Sequence, residues 1–241
     1  MNTVKIEKHN TKMIAHRGLS GIETENTASA FVASANRSYF GIETDVHVTN
    51  DGKFIIIHDD DTKRVSDSDF AVEKTDFDML RHIRLHNSNG TANRADLIMP
   101  TPEDYFDICK KYGKTAIFEL KNDMESHDIE RLVALIDEYE MLESTIFISF
   151  SLDNLIKLKQ INPNLSAQYL ISEINDVDNL IKTLKKYSIH LDSYHGALNK
   201  DIINQMHSNG ILVNAWTVND PNRAAELVKM GIDFITTNIL E

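Results

Sequence analysis

The chain has 241 residues, 41 % of them hydrophobic and 26 % charged, with a formal net charge of -12. That length suits one domain of the size of an α/β barrel spanning 1–241, and the acidic balance excludes non-specific adhesion to nucleic acid or to an anionic membrane. The single cysteine, Cys109, excludes an intramolecular disulfide and falls at an apolar helical position, where it is expected to pack in the core.

The N-terminal MNTVKIEKHNTK lacks the apolar segment of a signal peptide, and no apolar run approaches the length of a membrane span. A cytoplasmic protein without stable membrane association is the expectation. Runs rich in Ile, Val and Phe at 12–17, 41–46, 115–121, 144–150, 166–172, 188–194, 211–218 and 233–238 predict eight strands. Amphipathic segments at 27–37, 102–112, 126–139, 152–160, 175–186, 199–208 and 221–229 predict seven helices between them. Thr101-Pro102-Glu103-Asp104 supplies an N-cap, a proline in the first turn and two acids, and Asp220-Pro221 opens the last helix in the same way. Gly113, Gly210 and Gly231 stand where helices should stop.

Strands alternating with helices read as a parallel sheet. Eight such units closing on themselves make an α/β (β/α)8 TIM barrel, here with a missing or short eighth helix. An open doubly wound sheet is the alternative, weakened by the absence of G-x-G-x-x-G after the first strand. One run breaks the alternation. FIIIHD at 54–59 follows the second strand too closely for a parallel crossover, and Asp51-Gly52 is a hairpin dipeptide. Residues 41–59 therefore read as an antiparallel hairpin. A two-residue turn at 51–52 would pair 45 with 58 and set His58 beside Asp45, with Glu43 on the same face. Residues 60–99, polar and rich in turn formers, read as a small insertion before the next helix.

The predicted strand ends carry His16-Arg17, Glu43 and Asp45, Glu119 and Lys121, and Trp216, and the hairpin adds His58. Three carboxylates at one barrel mouth repel one another unless protonated or bridged by a cation. Oxygen ligands of this kind suit Mg²⁺ or Ca²⁺, or Mn²⁺. Arg17 and Lys121 offer fixed positive charge to an anion, and two histidines offer a base and an acid. Together these parts suit cleavage of a phosphoric ester.

In order along the chain, AHRG, ENT, GIETDVHVTNDGKFIIIHDDDTKR, PTPEDYF, FELK, SF and NAWTVND resemble the signature of the glycerophosphodiester phosphodiesterases, from about Lys12 to Asn238. The resemblance implies a TIM barrel with an insertion after the second strand. It implies Glu43, Asp45 and Glu119 as ligands of one divalent metal ion, His16 and His58 as general base and general acid, and Arg17 and Lys121 on the phosphate. Trp216 would border the glycerol pocket. The implied reaction releases sn-glycerol 3-phosphate and an alcohol such as choline or ethanolamine from a small-molecule diester. Two positions depart from the family pattern: Asn238 stands where an aspartate is common, and Thr62 where a leucine is common. Asn26 reads as a cap of the first helix or a member of the site, the cap being favoured. A lysophospholipase D-like enzyme and a non-catalytic phosphodiester-binding barrel are the alternatives.

Overall fold

The computed structural model describes residues 2–87, 90–92 and 94–241. Its elements in chain order are β1 (Lys12–Ala15), α1 (Ala28–Ala35), β2 (Gly41–Val48), β3 (Phe54–Ile56), α2 (Phe77–Arg81), α3 (Pro102–Tyr112), β4 (Thr115–Leu120), α4 (Ser126–Glu138), β5 (Thr145–Ser149), α5 (Leu152–Ile161), β6 (Ser166–Ile171), α6 (Val177–Tyr187), β7 (His190–Tyr194), α7 (Lys200–Ser208), β8 (Val213–Trp216), α8 (Pro221–Met230) and β9 (Phe234–Thr237). β1 pairs in parallel with both β2 and β9, which closes β1-β2-β4-β5-β6-β7-β8-β9 into a ring; β3 pairs antiparallel with β2 outside it. This is a TIM barrel. No helix follows β9 among the described residues.

Period-2 alternation divides each strand between two cores. Ile42 and Val46 of β2 and Phe118 and Leu120 of β4 face the helices, where they meet Phe31, Tyr105 and Phe106. The Tyr105 ring packs edge-on against Phe31 and Phe106, both at 5.1 Å, and its hydroxyl donates to Ile42 O at 2.7 Å. Such aromatic pairs add about 0.5–1.5 kcal/mol each beyond their area burial. The opposite residues face the barrel axis. Ile14, Ile117, Ile148, Leu170 and Phe234 fill the interior, and the next inward positions toward the strand C-termini, His16, Glu119 and Thr236 among them, are polar. The interior is thus apolar at one end and reactive at the other, as the barrel architecture demands.

Helix ends follow the sequence signals. Thr101 accepts from Asp104 N and Asp104 reaches back to Thr101 N, a full capping box, and Gly113 and Gly231 cap the C-termini of α3 and α8. Cys109 is buried in the core between α3 and the sheet.

The hairpin register differs from expectation. Val46 pairs with Ile56, His47 with Ile55 and Val48 with Phe54, so Asp45 lies across from Ile57, whose N–H donates to Asp45 O at 3.2 Å. The loop has three residues, Asn50–Gly52, rather than two. Gly52 donates to Thr49 O and takes φ 72, and Thr49 N–H donates to Lys53 O. A type I turn followed by one left-handed residue inserts that extra position. The one-residue slip removes His58 from the pairing opposite Asp45. His58 reaches the barrel mouth instead from the segment that runs on beyond β3.

The insertion 60–99 is less polar in effect than in composition. Val65, Val72, Leu80, Ile83, Leu85, Leu97 and Met99 bury themselves with Ile55 and Ile57 in a core separate from that of the barrel. No described helix is long and apolar enough to cross a membrane.

Candidate active site

The C-terminal strand ends surround a cavity of about 80 Å³ lined by His16, Arg17, Glu43, His58, Glu119 and Trp216, with Asp192 at its inner wall. Asp45 and Lys121 stand just behind it and pair with residues of this lining. A larger groove of about 650 Å³ between α6 and α7 lies away from the strand ends and holds no such cluster. The structure therefore brings all eight sequence-derived site residues to one end of the barrel.

The β2–β4 register sets Asp45 level with Glu119. Ligand oxygens of Glu43, Asp45 and Glu119 all lie within 4.8 Å of one another, in buried surroundings. Burial, then the charge of Asp45, pushes Glu43 well above the usual carboxylate range and Glu119 up to about 8. Burial opposes the charge on Asp45 too, yet Arg17, Lys121 and His58 and the Asn26 hydrogen bond hold its carboxyl below that range. Negative charge is thus concentrated on Asp45, and burial together with that charge makes the other two acids resist ionisation despite Arg17 and Lys121 nearby. Asp45 Oδ1 is buried and makes no hydrogen bond; Lys121 Nζ stands 3.6 Å from it and 2.9 Å from Glu119 Oε1. An orphaned carboxylate oxygen beside two proton-hungry carboxyls fits a hard divalent cation, and the set could hold one.

Arg17 takes φ 54 and Gly18 φ 74. A Cβ on Gly18 would stand 2.6 Å from the Ala30 backbone, so this left-handed turn needs glycine at its second residue. The turn aims Arg17 N–H at Glu43 Oε2, 2.7 Å away. The guanidinium donates through Nη1 to Glu25 Oε1 at 2.8 Å, and its buried Nε faces Asp45 Oδ2 at 3.6 Å, too far for a hydrogen bond.

The two histidines have unlike partners. His16 Nδ1 meets the neutral amide oxygen of Asn238 at 2.7 Å; burial and the adjacent Arg17 charge bring it down to about 4. His58 Nδ1 meets the Asp59 carboxylate at 2.6 Å. Burial also holds His58 below the ordinary histidine value, while Asp45 and Asp59 act in the opposite sense. Asp59 itself falls to about 2, because the Arg64 and His58 bonds outweigh its burial. Arg64, from the insertion, donates Nε to Asp59 at 2.6 Å and grips both Glu25 oxygens at 2.8 Å. Alternating charges thus run Asp45–Arg17–Glu25–Arg64–Asp59–His58, from barrel to insertion.

Asn26 takes the less favoured of its two readings, and His47 and Asp192 exceed what the sequence patterns offered. Asn26 does not cap α1; Thr27 does, accepting from Ala30 N. Asn26 takes φ 51, donates Nδ2 to Asp45 Oδ2 at 2.7 Å and accepts from Thr44 Oγ1 at 2.8 Å. The two capping residue types are adjacent, and only the turn geometry chooses between them. His47, fully buried, holds Glu73 of the insertion and the His58 carbonyl, at 3.1 and 3.4 Å. Asp192 shares the inward parity of His190 and Tyr194, a signal that period 2 alone contains.

Comparison with known proteins agrees with this architecture. A solved glycerophosphodiester phosphodiesterase of Parabacteroides distasonis is 28 % identical, with a TM-score of 0.79 and coverage of 96 % of this chain and 94 % of that one. An Oleispira antarctica phosphodiesterase, solved with its product sn-glycerol-3-phosphate, shares the fold at a TM-score of 0.86 and 24 % identity, covering 94 % of this chain and 92 % of that one. A Bacillus subtilis glycerophosphodiester phosphodiesterase is 26 % identical over 244 residues, 93 % of this chain and 82 % of the relative. The family model for glycerophosphoryl diester phosphodiesterases matches residues 16–241, and the chain belongs to that family of phosphoric diester hydrolases.

Proposed function

We propose that the chain hydrolyses glycerophosphodiesters to sn-glycerol 3-phosphate and an alcohol, with His16 as general base and His58 as general acid. The observation that carries this reading is the unlike pairing of the two histidines across one cavity. With Asn238 Oδ1 as acceptor, His16 keeps its proton on Nδ1 and presents the Nε2 lone pair. Its low affinity for a proton keeps it in the base form, and an arriving phosphate anion raises it toward the working range. His58 has a carboxylate partner, which favours the imidazolium. Burial holds both histidines below the ordinary value, and the carboxylate at His58 against the neutral amide at His16 makes His58 the better carrier of a proton.

Glu43, Asp45 and Glu119 would hold a divalent cation, Mg²⁺, Ca²⁺ or Mn²⁺, which when bound supplies Lewis acidity toward phosphate and a lowered hydroxyl pKa. Arg17 and Lys121 bind and orient the phosphate, and Trp216 walls the glycerol side. The attacking hydroxyl, of the glycerol or of water, gives its proton to His16 as the new P–O bond forms. The bond to the leaving alcohol breaks as His58 delivers its proton. If the glycerol hydroxyl attacks, water opens the resulting cyclic phosphate with the two histidines exchanging roles.

The test is release of sn-glycerol 3-phosphate from glycerophosphocholine and glycerophosphoethanolamine, in chelator and after adding back each metal, for the native chain, His16→Ala and Glu43→Ala. Metal-dependent release by the native chain, abolished in both variants, is expected. Cleavage of lysolipids alone would overturn the substrate, and undiminished release by either variant would overturn the site.

A further inference from the structure

Across the ring from β2 stands β7, four strands away in either direction. The metal-binding carboxylates and the phosphate-binding cations therefore occupy one side of the mouth, and Asp192 of β7 faces them from the other. Asp192 is 1 % exposed and lines the same cavity. One of its oxygens is fixed: Oδ2 accepts from Asn214 Nδ2 at 3.1 Å. The orientation of that amide is set in turn, because Asn214 Nδ2 also donates to Gln168 Oε1 at 3.2 Å and its Oδ1 accepts from Thr236 Oγ1 at 3.3 Å. The other oxygen, Oδ1, is buried without a hydrogen-bond partner among the described residues. A buried acid held rigidly by one oxygen, with the second left unpaired, is a penalty that folding alone does not offset.

We propose that Asp192 is a specificity-determining residue that hydrogen-bonds the sn-1 hydroxyl of the glycerol moiety. This rests on the reading that the cavity takes a glycerophosphodiester. With the phosphate gripped beside β1, β2 and β4, the glycerol carbon farthest from phosphorus points across the barrel toward β7. Its hydroxyl is both donor and acceptor, so it pairs with Asp192 Oδ1 whether that carboxyl is ionised or protonated. Pairing with that hydroxyl fixes which end of the substrate enters. An sn-1 acyl ester has no hydroxyl proton to offer Asp192 Oδ1. Asp192 therefore selects deacylated diesters over sn-1 acylated lysolipids.

The experiment compares binding of sn-glycerol 3-phosphate with that of propane-1,2-diol 1-phosphate, which lacks only the sn-1 oxygen, by titration calorimetry in Mg²⁺. The native chain is expected to prefer the first by at least about tenfold, as sites built to pair a hydroxyl do. Asp192→Leu should bind both alike and melt no lower than the native chain; Asp192→Asn, which keeps a polar atom at the same place, should retain most of the preference. If Asp192→Leu does not fold, Asp192→Ala carries the same comparison. Equal affinities in the native chain, or an undiminished preference in the Leu or Ala variant, overturn the proposal. Diester turnover is measured on the same samples. Intact preference without turnover sinks the hydrolytic reading and leaves Asp192's role standing; turnover without preference does the reverse.

Discussion

Asn238→Asp changes one atom group beside the proposed base, and its effect can be worked through. His16 Nδ1 lies 2.7 Å from the Asn238 oxygen, so the substitution places a full negative charge about 4 Å from the imidazolium charge centre. At an effective dielectric constant near 20 that is worth about 4 kcal/mol, or about 3 pKa units, before the desolvation of the new carboxylate is subtracted. A rise of about 1–3 units is the expectation, from about 4 to roughly 5–7. The sign is fixed: a carboxylate stabilises the imidazolium, so the base form becomes available only at higher pH. In the pH profile of kcat/KM for glycerophosphocholine at saturating Mg²⁺, the acid limb should move up by that amount. Asn238→Ala removes a bond that raises His16, so its limb should stay or move down while the rate falls. A histidine NMR titration gives the same shift without turnover. The argument is refuted if the acid limb of Asn238→Asp coincides with that of the native chain.

His16 also links pH to stability. Its folded value near 4 lies below the unfolded 6.5, so the unfolded chain binds the extra proton first, and stability falls as pH drops from 6.5 toward 4, by up to about 3 kcal/mol; denaturant titrations should show this slope flattened in Asn238→Asp. His58→Ala should lose roughly 10²–10⁴-fold on glycerophosphocholine and little on the p-nitrophenyl diester, whose leaving group needs no proton; equal losses on both would remove His58 from the acid role. Mg²⁺ at about 100 times its dissociation constant should stabilise the fold by about 2.7 kcal/mol, roughly 5–10 °C in Tm for a chain of this size, with no such shift in Glu43→Gln. Because Glu119 rises to about 8 without a cation, metal binding near pH 7 should release protons, seen as buffer-dependent calorimetric heats. Asn26→Ala should weaken Mg²⁺ binding about 10–100-fold by freeing Asp45; unchanged affinity would show that the 2.7 Å bond does not position the ligand.

Regular elements were legible because their signals are local and repeated. Ring strands such as β4 and β5 announce themselves by a β-branched run, and helices such as α3 by a capping box at one end and a glycine at the other. What failed to show was parity across a turn. Asp51-Gly52 marks where the chain reverses but not whether two or three residues do it, and that single residue decides which side chain opposes Asp45. The insertion core escaped notice for a related reason. Val65, Val72, Leu80, Ile83 and Leu97 stand apart along a segment whose longest described element is the five-residue α2, so no one continuous apolar run marks them and their burial together is visible only once folded. Asp192 was hidden by company: in SIHLDSY it reads as ordinary alternation until the ring sets it opposite β2.

His16 and the three clustered carboxylates are built on the barrel, whereas His58 is carried by the segment joining β3 to the insertion, whose apolar side chains form a separate small core. The two proposed proton-transfer groups thus belong to parts of the molecule with separate apolar cores, which can open independently. By that mechanism turnover should follow the fraction of molecules in which the smaller unit is docked, and should show a melting curve of its own beneath that of the barrel. On warming, activity should fade while the far-ultraviolet signal and the metal site persist, and tightening the packing around Leu97 should raise the temperature optimum without changing the chemistry.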